Sequence, residues 1–578
     1  MTAPMFAAAC PPHAVEITDS GAVVAWDRVS GTRRTLGDPS LTVTACAIEP
    51  DGSHVWWFTE SGGWWRQPFD GGPALPGAPP GRQRGIAFDA DGRTVAVCLG
   101  TGDRTVCHLG PPGGTARPVA AADGCFTLAD LSADGELLVL AGTPGTPTAA
   151  MLITPGTAEP PVVLGGRIWP LELRPGREVE LLLAIEEDDR FAVAVWTPDA
   201  GLSVQKWLRF DTEITAHWYG REGRRVLVQQ DRHGRSTLLL ADLDSRTLTP
   251  VPTPPGTILD LSEAPDGVLH YVFSTEGVPP HRRTADPRRP AAPAVPRPDR
   301  TRRALWTGEV HTLLATPDGA GPWPAVQLLH GGPFLHDRDC HDPRVEALVR
   351  AGYAVARTNY RGSTGYGARW RRAGGPRVGH TQLDDLAAVR AHLIADGVAE
   401  AGRIALWGHS WGGYLALLGM GVRPGEWVAG LASSPVADYP AAYAQTTPAL
   451  RELDDELFGG GPDRVPERYR DASPLTWASR VSGPLCIAAA TGDDRCPPGQ
   501  IHSYLAVLRR HGVPHRMLWT GGGHDGEPGR DTAVFTAMLA FADAALKPPR
   551  SDDHRAAREV NRYEATQRTA RPDQLAGA

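Results

Sequence analysis

The chain has no run approaching the roughly 18 apolar residues that a membrane-spanning helix needs, so no membrane partner is expected. It has no excess of positive charge: 58 Lys and Arg face 66 Asp and Glu, a formal net charge of −8, which argues against nucleic acid as a partner. Its eight cysteines are scattered and none forms a CxxC pair, so neither a zinc site nor a redox motif is indicated, and no metal is expected. Thiols spread in this way read as reduced, in a cytoplasmic protein. The opening MTAPMFAAACPPH lacks the basic stretch and apolar core of a secretion signal, which fits that location.

At 578 residues, with 41% hydrophobic and 21% charged side chains, the composition is globular and too large for one core. Glycine and proline, 66 and 54 residues, imply many tight turns. Over residues 1–285 a glycine turn recurs at Gly52, Gly92, Gly135, Gly176, Gly223 and Gly267, at intervals of 40 to 47 residues. Most of these turns lead into an apolar or β-branched run, as in His54-Val-Trp-Trp-Phe58, Thr94-Val-Ala-Val-Cys98 and Arg225-Val-Leu-Val228. Short strands with a period in the forties predict a β-propeller of about seven blades, the first around Gly21 at a shorter spacing of 31. The acidic run Glu186-Glu187-Asp188-Asp189 falls between two strand-like segments and reads as a solvated hairpin turn.

A Pro- and Arg-rich stretch, 286–304, reads as a linker. From 305 to 547 strands alternate with amphipathic helices, which predicts a parallel sheet. Residues 548–578 are polar and read as a disordered tail.

The strongest chemical signal is Arg403-Ile-Ala-Leu-Trp-Gly-His-Ser-Trp-Gly-Gly-Tyr-Leu-Ala-Leu-Leu418. A strand enters Gly408-His409-Ser410-Trp411-Gly412 and a helix leaves it, the arrangement of a nucleophile elbow in an α/β-hydrolase domain. A serine needs a base, and the base needs an acid to orient it, in the chain order Ser, acid, His. The strand Pro484–Ala490 leads to Asp493 and Asp494, either of which stands where the acid is expected. The next strand ends in Gly521-Gly-Gly-His524, which makes His524 the candidate base. Upstream, the strand ending in His330-Gly331-Gly332-Pro333 matches an oxyanion segment; the N–H groups of Gly332 (or Gly331) and Trp411 are the expected donors.

Residues 305–546 resemble the prolyl oligopeptidase family of serine peptidases, nearest its acylaminoacyl-peptidase and dipeptidyl-peptidase branches. The resemblance rests on His330-Gly-Gly-Pro333, Asn359-Tyr-Arg-Gly-Ser-Thr-Gly-Tyr-Gly367, Gly408-His-Ser-Trp-Gly-Gly-Tyr414, Ser473-Pro474, Asp493-Asp-Arg-Cys-Pro497 and Gly523-His524. It implies an N-terminal propeller that restricts entry to short peptides, no cofactor, and, for some members, homo-oligomers. It selects Asp493 as the acid and assigns Val436 and Tyr439, with Tyr443 as a further candidate, to the pocket for the residue on the acyl side of the scissile bond. Arg495 is assigned to the substrate site with them. Trp411 replaces the commoner tyrosine, and Ala442 and Thr446 stand where dipeptidyl peptidases carry aromatics, so the resemblance does not define that pocket's preference. The implied activity is hydrolysis of short peptides; an esterase or acyl-transfer enzyme acting on a small acyl substrate is the alternative.

Overall fold

The structure, a computed structural model, describes residues 1–289, 301–524 and 532–547, leaving aside positions 11, 39, 60, 62, 102–103, 158, 177, 221–222 and 376. Most of the expected linker (290–300) and the whole of the expected tail therefore lie outside the described residues. The chain divides into two compact units: Met1–Arg300 with His336–Asp342 and Gly362–Ala373, and the remainder from Thr301.

Among its described residues the first unit contains seven antiparallel sheets, six four-stranded and a last one of three strands over Thr257–Ala285: a seven-bladed β-propeller. Its middle strands are unbroken apolar runs because they are covered on both faces. In Val95–Thr101, Val95, Val97 and Leu99 enter one core with Trp56 and Phe58 of the preceding sheet. Ala96 and Cys98 enter another, with Leu138 and Leu140 of the following sheet. The two-residue alternation of a strand thus joins each blade to both neighbours.

The six repeating glycines all have positive φ, from 67° to 141°, and sit between the first and second strands of successive blades. Gly21 (φ 79°) lies one turn later, between the second strand His13–Ile17 and the third, Val23–Asp27. That shift by one strand accounts for its short spacing from Gly52.

A second repeating device carries no compositional signal. The first strands of three blades have a register shift just before an acidic residue, Asp130, Glu172 or Asp260. Each carboxylate accepts a hydrogen bond from a backbone N–H of the next blade. Asp130 takes Leu173 at 2.8 Å, Glu172 takes Trp218, and Asp260 closes the ring by taking Ala3 at 2.7 Å. The Ser262 hydroxyl adds a bond to the Pro4 carbonyl at 2.7 Å across the same closure.

Two expectations are corrected in this unit. Cys98 and Cys107 face each other across adjacent strands with Cα atoms 4.2 Å apart and form a disulfide, so the cysteines are not all free thiols. The acidic run does form a hairpin, with Asp188 and Asp189 at positive φ, but it is not simply solvated. The Glu186 side chain is 2% exposed and pairs with Arg371 and with Arg372, the latter at 2.6 Å. Asp189 also pairs with Arg372, and Glu187 with Arg209 at 2.7 Å. Arg371 and Arg372 belong to Gly362–Ala373, a segment the sequence pattern assigns to the other domain but which packs within this unit. The Glu213 carboxylate ties the same segment by accepting from the N–H groups of Gly365 at 2.7 Å and Gly367 at 3.3 Å.

The second unit is built on one eight-stranded sheet. Its strands are β1 Arg302–Thr307, β2 Val310–Ala315, β3 Trp323–Leu329, β4 Ala354–Asn359, β5 Ala399–His409, β6 Ala429–Ser433, β7 Leu485–Ala490 and β8 His515–Thr520. The spatial order is 1-2-4-3-5-6-7-8, with β2 antiparallel to both its neighbours and the rest parallel, the α/β-hydrolase arrangement. The sheet begins at Arg302, three residues before the expected boundary at 305, because the basic pair at its start pairs with Leu314 and Ala315 as an edge strand. Strands β6 and β7 are buried throughout, as parallel strands covered by helices on both faces must be. Among the described residues no helix is long and apolar enough to cross a membrane.

Asp130→Ala should leave the N–H groups of Leu131 and Leu173 without their acceptor and cost about 1–3 kcal/mol. Asp130→Asn, which keeps an acceptor oxygen, should lose less. Thermal unfolding followed by the propeller's β-sheet signal checks the order wild type, Asn, Ala.

Candidate active site

Strand β5 ends at His409 and the helix Trp411–Val422 begins immediately after Ser410, so one residue makes the turn. Its φ of 54° and ψ of −118° are strained for a residue with a side chain. Neighbouring backbone holds it there: the Ser410 N–H donates to the Ser433 carbonyl of β6 at 2.8 Å, and the Ser410 carbonyl accepts from the Tyr414 N–H at 2.8 Å. The flanking glycines are required by contact. A Cβ on Gly408 would lie 2.2 Å from the Gly412 carbonyl carbon, and one on Gly412 would lie 2.2 Å from the Leu329 carbonyl oxygen. Strand, helix and the end of β3 therefore touch backbone to backbone around the serine.

His524 Nε2 lies 2.9 Å from Ser410 Oγ. Its Nδ1 lies 3.0 and 2.9 Å from the two oxygens of Asp493. Asp493 Oδ1 also accepts from the backbone N–H groups of Arg495 at 3.0 Å and Cys496 at 2.7 Å. With the side chains of Asp493 and His524 only 1% and 3% exposed, the carboxylate is fixed and Nδ1 must donate to it, which leaves Nε2 free to accept from Ser410. Of the two acids the residue pattern left open, Asp494 is exposed, and Asp493 is the one the histidine meets. The ring of His409 lies 5.3 Å from that of His524.

Gly331 and Gly332 follow β3. A Cβ on Gly331 would sit in ordinary contact, 3.7 Å, with the Ser410 Cβ, and Gly332 has a φ of 129° that favours glycine. The loop is held by Tyr360 at the end of β4, whose ring stacks on His330 at 4.3 Å and whose hydroxyl donates to the His330 carbonyl at 2.7 Å. Asp385 anchors the next residue, accepting from the Arg361 N–H at 2.8 Å and pairing with its guanidinium at 2.7 Å.

Gly332, Ser410, Trp411 and His524 open on a partly open, largely apolar cavity. Val436, Tyr439 and Arg495 line it, as do Ala442 and Thr446. Tyr443 does not: its hydroxyl donates to Asp455 at 3.0 Å and its ring packs 5.7 Å from that of Tyr469. The loop bearing Val436 is clamped by buried Gln500, which accepts from the Ala437 N–H at 2.6 Å and donates to the Pro435 carbonyl at 3.0 Å. The sequence reading named neither Gln500 nor the far wall, which is the helix Pro448–Phe458, contributing Leu450, Leu453, Asp454 and Leu457. Their three- and four-residue spacing was the available signal. Asp493, Cys496 and His524 bring possible metal-ligand atoms within 4.8 Å of one another, but Asp493 and His524 are already satisfied by each other.

The model of the prolyl oligopeptidase family matches residues 341–549. The dipeptidyl aminopeptidase BIII of Pseudoxanthomonas mexicana is 27% identical over 228 residues, 38% of this chain and 32% of that enzyme. The acylamino-acid-releasing enzyme of Sus scrofa is 30% identical over 200 residues, 34% of this chain and 27% of that enzyme. The chain thus spans about a third or less of the length of these curated relatives. The acylaminoacyl peptidase of Pyrococcus horikoshii shares the fold across 93% of this chain and 94% of its own, with a TM-score of 0.73 at 16% identity.

Gly412→Ala should push the elbow apart, because its Cβ would meet backbone, the Leu329 carbonyl oxygen at 2.2 Å and the His330 carbonyl oxygen at 2.7 Å, rather than a side chain that could give way. Labelling of Ser410 by a fluorophosphonate should slow at least about 100-fold, while circular dichroism retains the native sheet signal.

Proposed function

From the premise that residues 341–549 form a domain of the prolyl oligopeptidase family, we propose that this protein is a serine peptidase that hydrolyses short peptides through an acyl-enzyme on Ser410. The observation that carries the reading is His524, bridging Ser410 Oγ and the buried Asp493 at the mouth of an apolar cavity. Ser410 attacks the scissile carbonyl while His524 Nε2 takes its proton. Asp493 holds the imidazole and offsets the charge it acquires. The N–H groups of Gly332 and Trp411 stabilise the oxyanion. His524 then gives the proton to the leaving amine, and a water, deprotonated by the same nitrogen, releases the acyl group. The cavity holds the side chain on the acyl side of the bond.

Substrates blocked at the amino end are favoured over free dipeptide-releasing ones. The acidic run of the propeller is the conspicuous candidate for gripping a free amine, and its carboxylates are already compensated by Arg209, Arg371 and Arg372.

Matched N-acetylated and free peptides test this, with Ser410→Ala as control. The blocked set should be turned over, and the variant should lose about a thousandfold or more in kcat. Turnover of the free set alone would make the enzyme an aminopeptidase. Hydrolysis of small esters with no cleavage of any peptide would replace the reading with an esterase.

A further inference from the structure

The helix Pro448–Phe458 turns one face to the cavity, and that face is Leu450, Leu453, Asp454 and Leu457. Three leucines at this spacing are an ordinary apolar stripe; an aspartate among them is not. Among the described residues Asp454 is the only acidic side chain on the lining. Trp411, Tyr414, Val436 and Tyr439 line the same cavity, with apolar faces or side chains. Among the described residues no arginine, lysine or hydrogen-bond donor engages its carboxylate, and Arg495, the one cation on the lining, is exposed and forms no ion pair with it. The buried indole N–H of Trp411 also has no protein partner among the described residues. An apolar slot with one unpaired carboxylate is a poor piece of core and a fitting receptor for a cation on a greasy stem.

We propose that the cavity accepts lysine or arginine on the acyl side of the scissile bond, the methylene stem lying against Trp411 and the leucine stripe and the terminal cation pairing with Asp454. This rests on the peptidase reading above and specifies its substrate class.

Burial, and then the adjacent Asp455, push the Asp454 carboxyl up to about 7. The titratable groups facing it are Tyr414 on the helix after Ser410, Tyr439 on the helix Tyr439–Gln445, and Tyr469 on the helix Pro466–Ala472. Burial raises all three phenols, so none ionises near neutral pH. Arg495, Cys496 and His524 complete the titratable or charged lining. Asp454 is therefore charged above about pH 7 and neutral well below it, and the preference for a cation should grow as pH rises through that value.

The test compares N-acetylated peptide coumarylamides that differ only in lysine or norleucine before the scissile bond. The ratio of their kcat/KM values cancels the protonation of His524, which both substrates share. At pH 8 the ratio should favour lysine by about tenfold or more, and it should shrink toward one at pH 6. Asp454→Asn should lower it about tenfold at pH 8 and remove its pH dependence; Asp454→Glu should retain a lysine preference. Labelling of each variant by a fluorophosphonate reports that the elbow is intact. A wild-type ratio at or below one, or an unchanged ratio in a variant that still labels, would overturn the proposal while leaving the peptidase reading in place. Failure to cleave either peptide while Ser410 still labels would overturn both.

Discussion

Everything at the candidate site depends on a steric constraint: three stretches of backbone meet at Ser410 with no room for side chains between them. The end of β3, the end of β5 and the start of the following helix close to within a distance that Gly408 and Gly412 alone allow. That contact forces Ser410 into a strained φ and aims its hydroxyl out of the sheet, where a histidine can reach it. It also brings the Gly331–Gly332 turn beside the serine, so nucleophile and oxyanion donors share one fixed frame. The strain is borne by the surrounding sheet, through the Ser433 carbonyl and the first turn of the helix.

The same logic explains which parts were legible in the sequence. Ser410, the Asp493–Asp494 pair and His524 each follow a strand, and parallel strands deliver their C-terminal ends to one edge, so chain order sufficed to group them, while the choice of Asp493 over Asp494 came from the family resemblance. The leucine stripe of Pro448–Phe458 was equally visible as a pattern but ambiguous in meaning. Periodicity tells which residues share a face, not whether that face meets a sheet or a cavity. Gln500 was invisible for a different reason: its hydrogen bonds to Ala437 and Pro435 join positions more than sixty residues apart.

In the propeller, the glycine turns marked the blades because a positive φ leaves a compositional trace at every repeat. The acids that staple one blade to the next share the blade spacing, but they were not legible. Among the described residues only three blades carry one, one of the three is Glu rather than Asp, and their partners are backbone N–H groups of another blade. The pairing of Cys98 with Cys107 likewise depends on register, which is defined only once both strands are placed. Segments 336–342 and 362–373 show the limit of reading domains as continuous runs. Their polar anchors, such as Asp339 on Arg235 at 2.8 Å and the Gly365 N–H on Glu213, lie far away in the chain.

The energetics of Asp454 bear on why it is there. A carboxyl raised from 3.8 to about 7 by burial favours the fold fully below pH 4, and that contribution is lost as pH rises through 7. At neutral pH and above, ionised Asp454 costs the native state up to a few kcal/mol relative to a neutral side chain, with its partial solvent access reducing the figure. Leucine or asparagine at the same helical position would avoid that cost without disturbing the stripe. Packing therefore gives no account of the residue, whereas a cationic ligand does: it supplies the missing countercharge and recovers in binding what the empty pocket gives up in stability. The buried ion pairs elsewhere in the chain show the contrast, since Glu186 in the propeller, at 2% exposure, already has its arginines in place. Where the fold needs a buried carboxylate it provides the partner, and at Asp454, on the lining of the cavity beside Ser410, it leaves the place open.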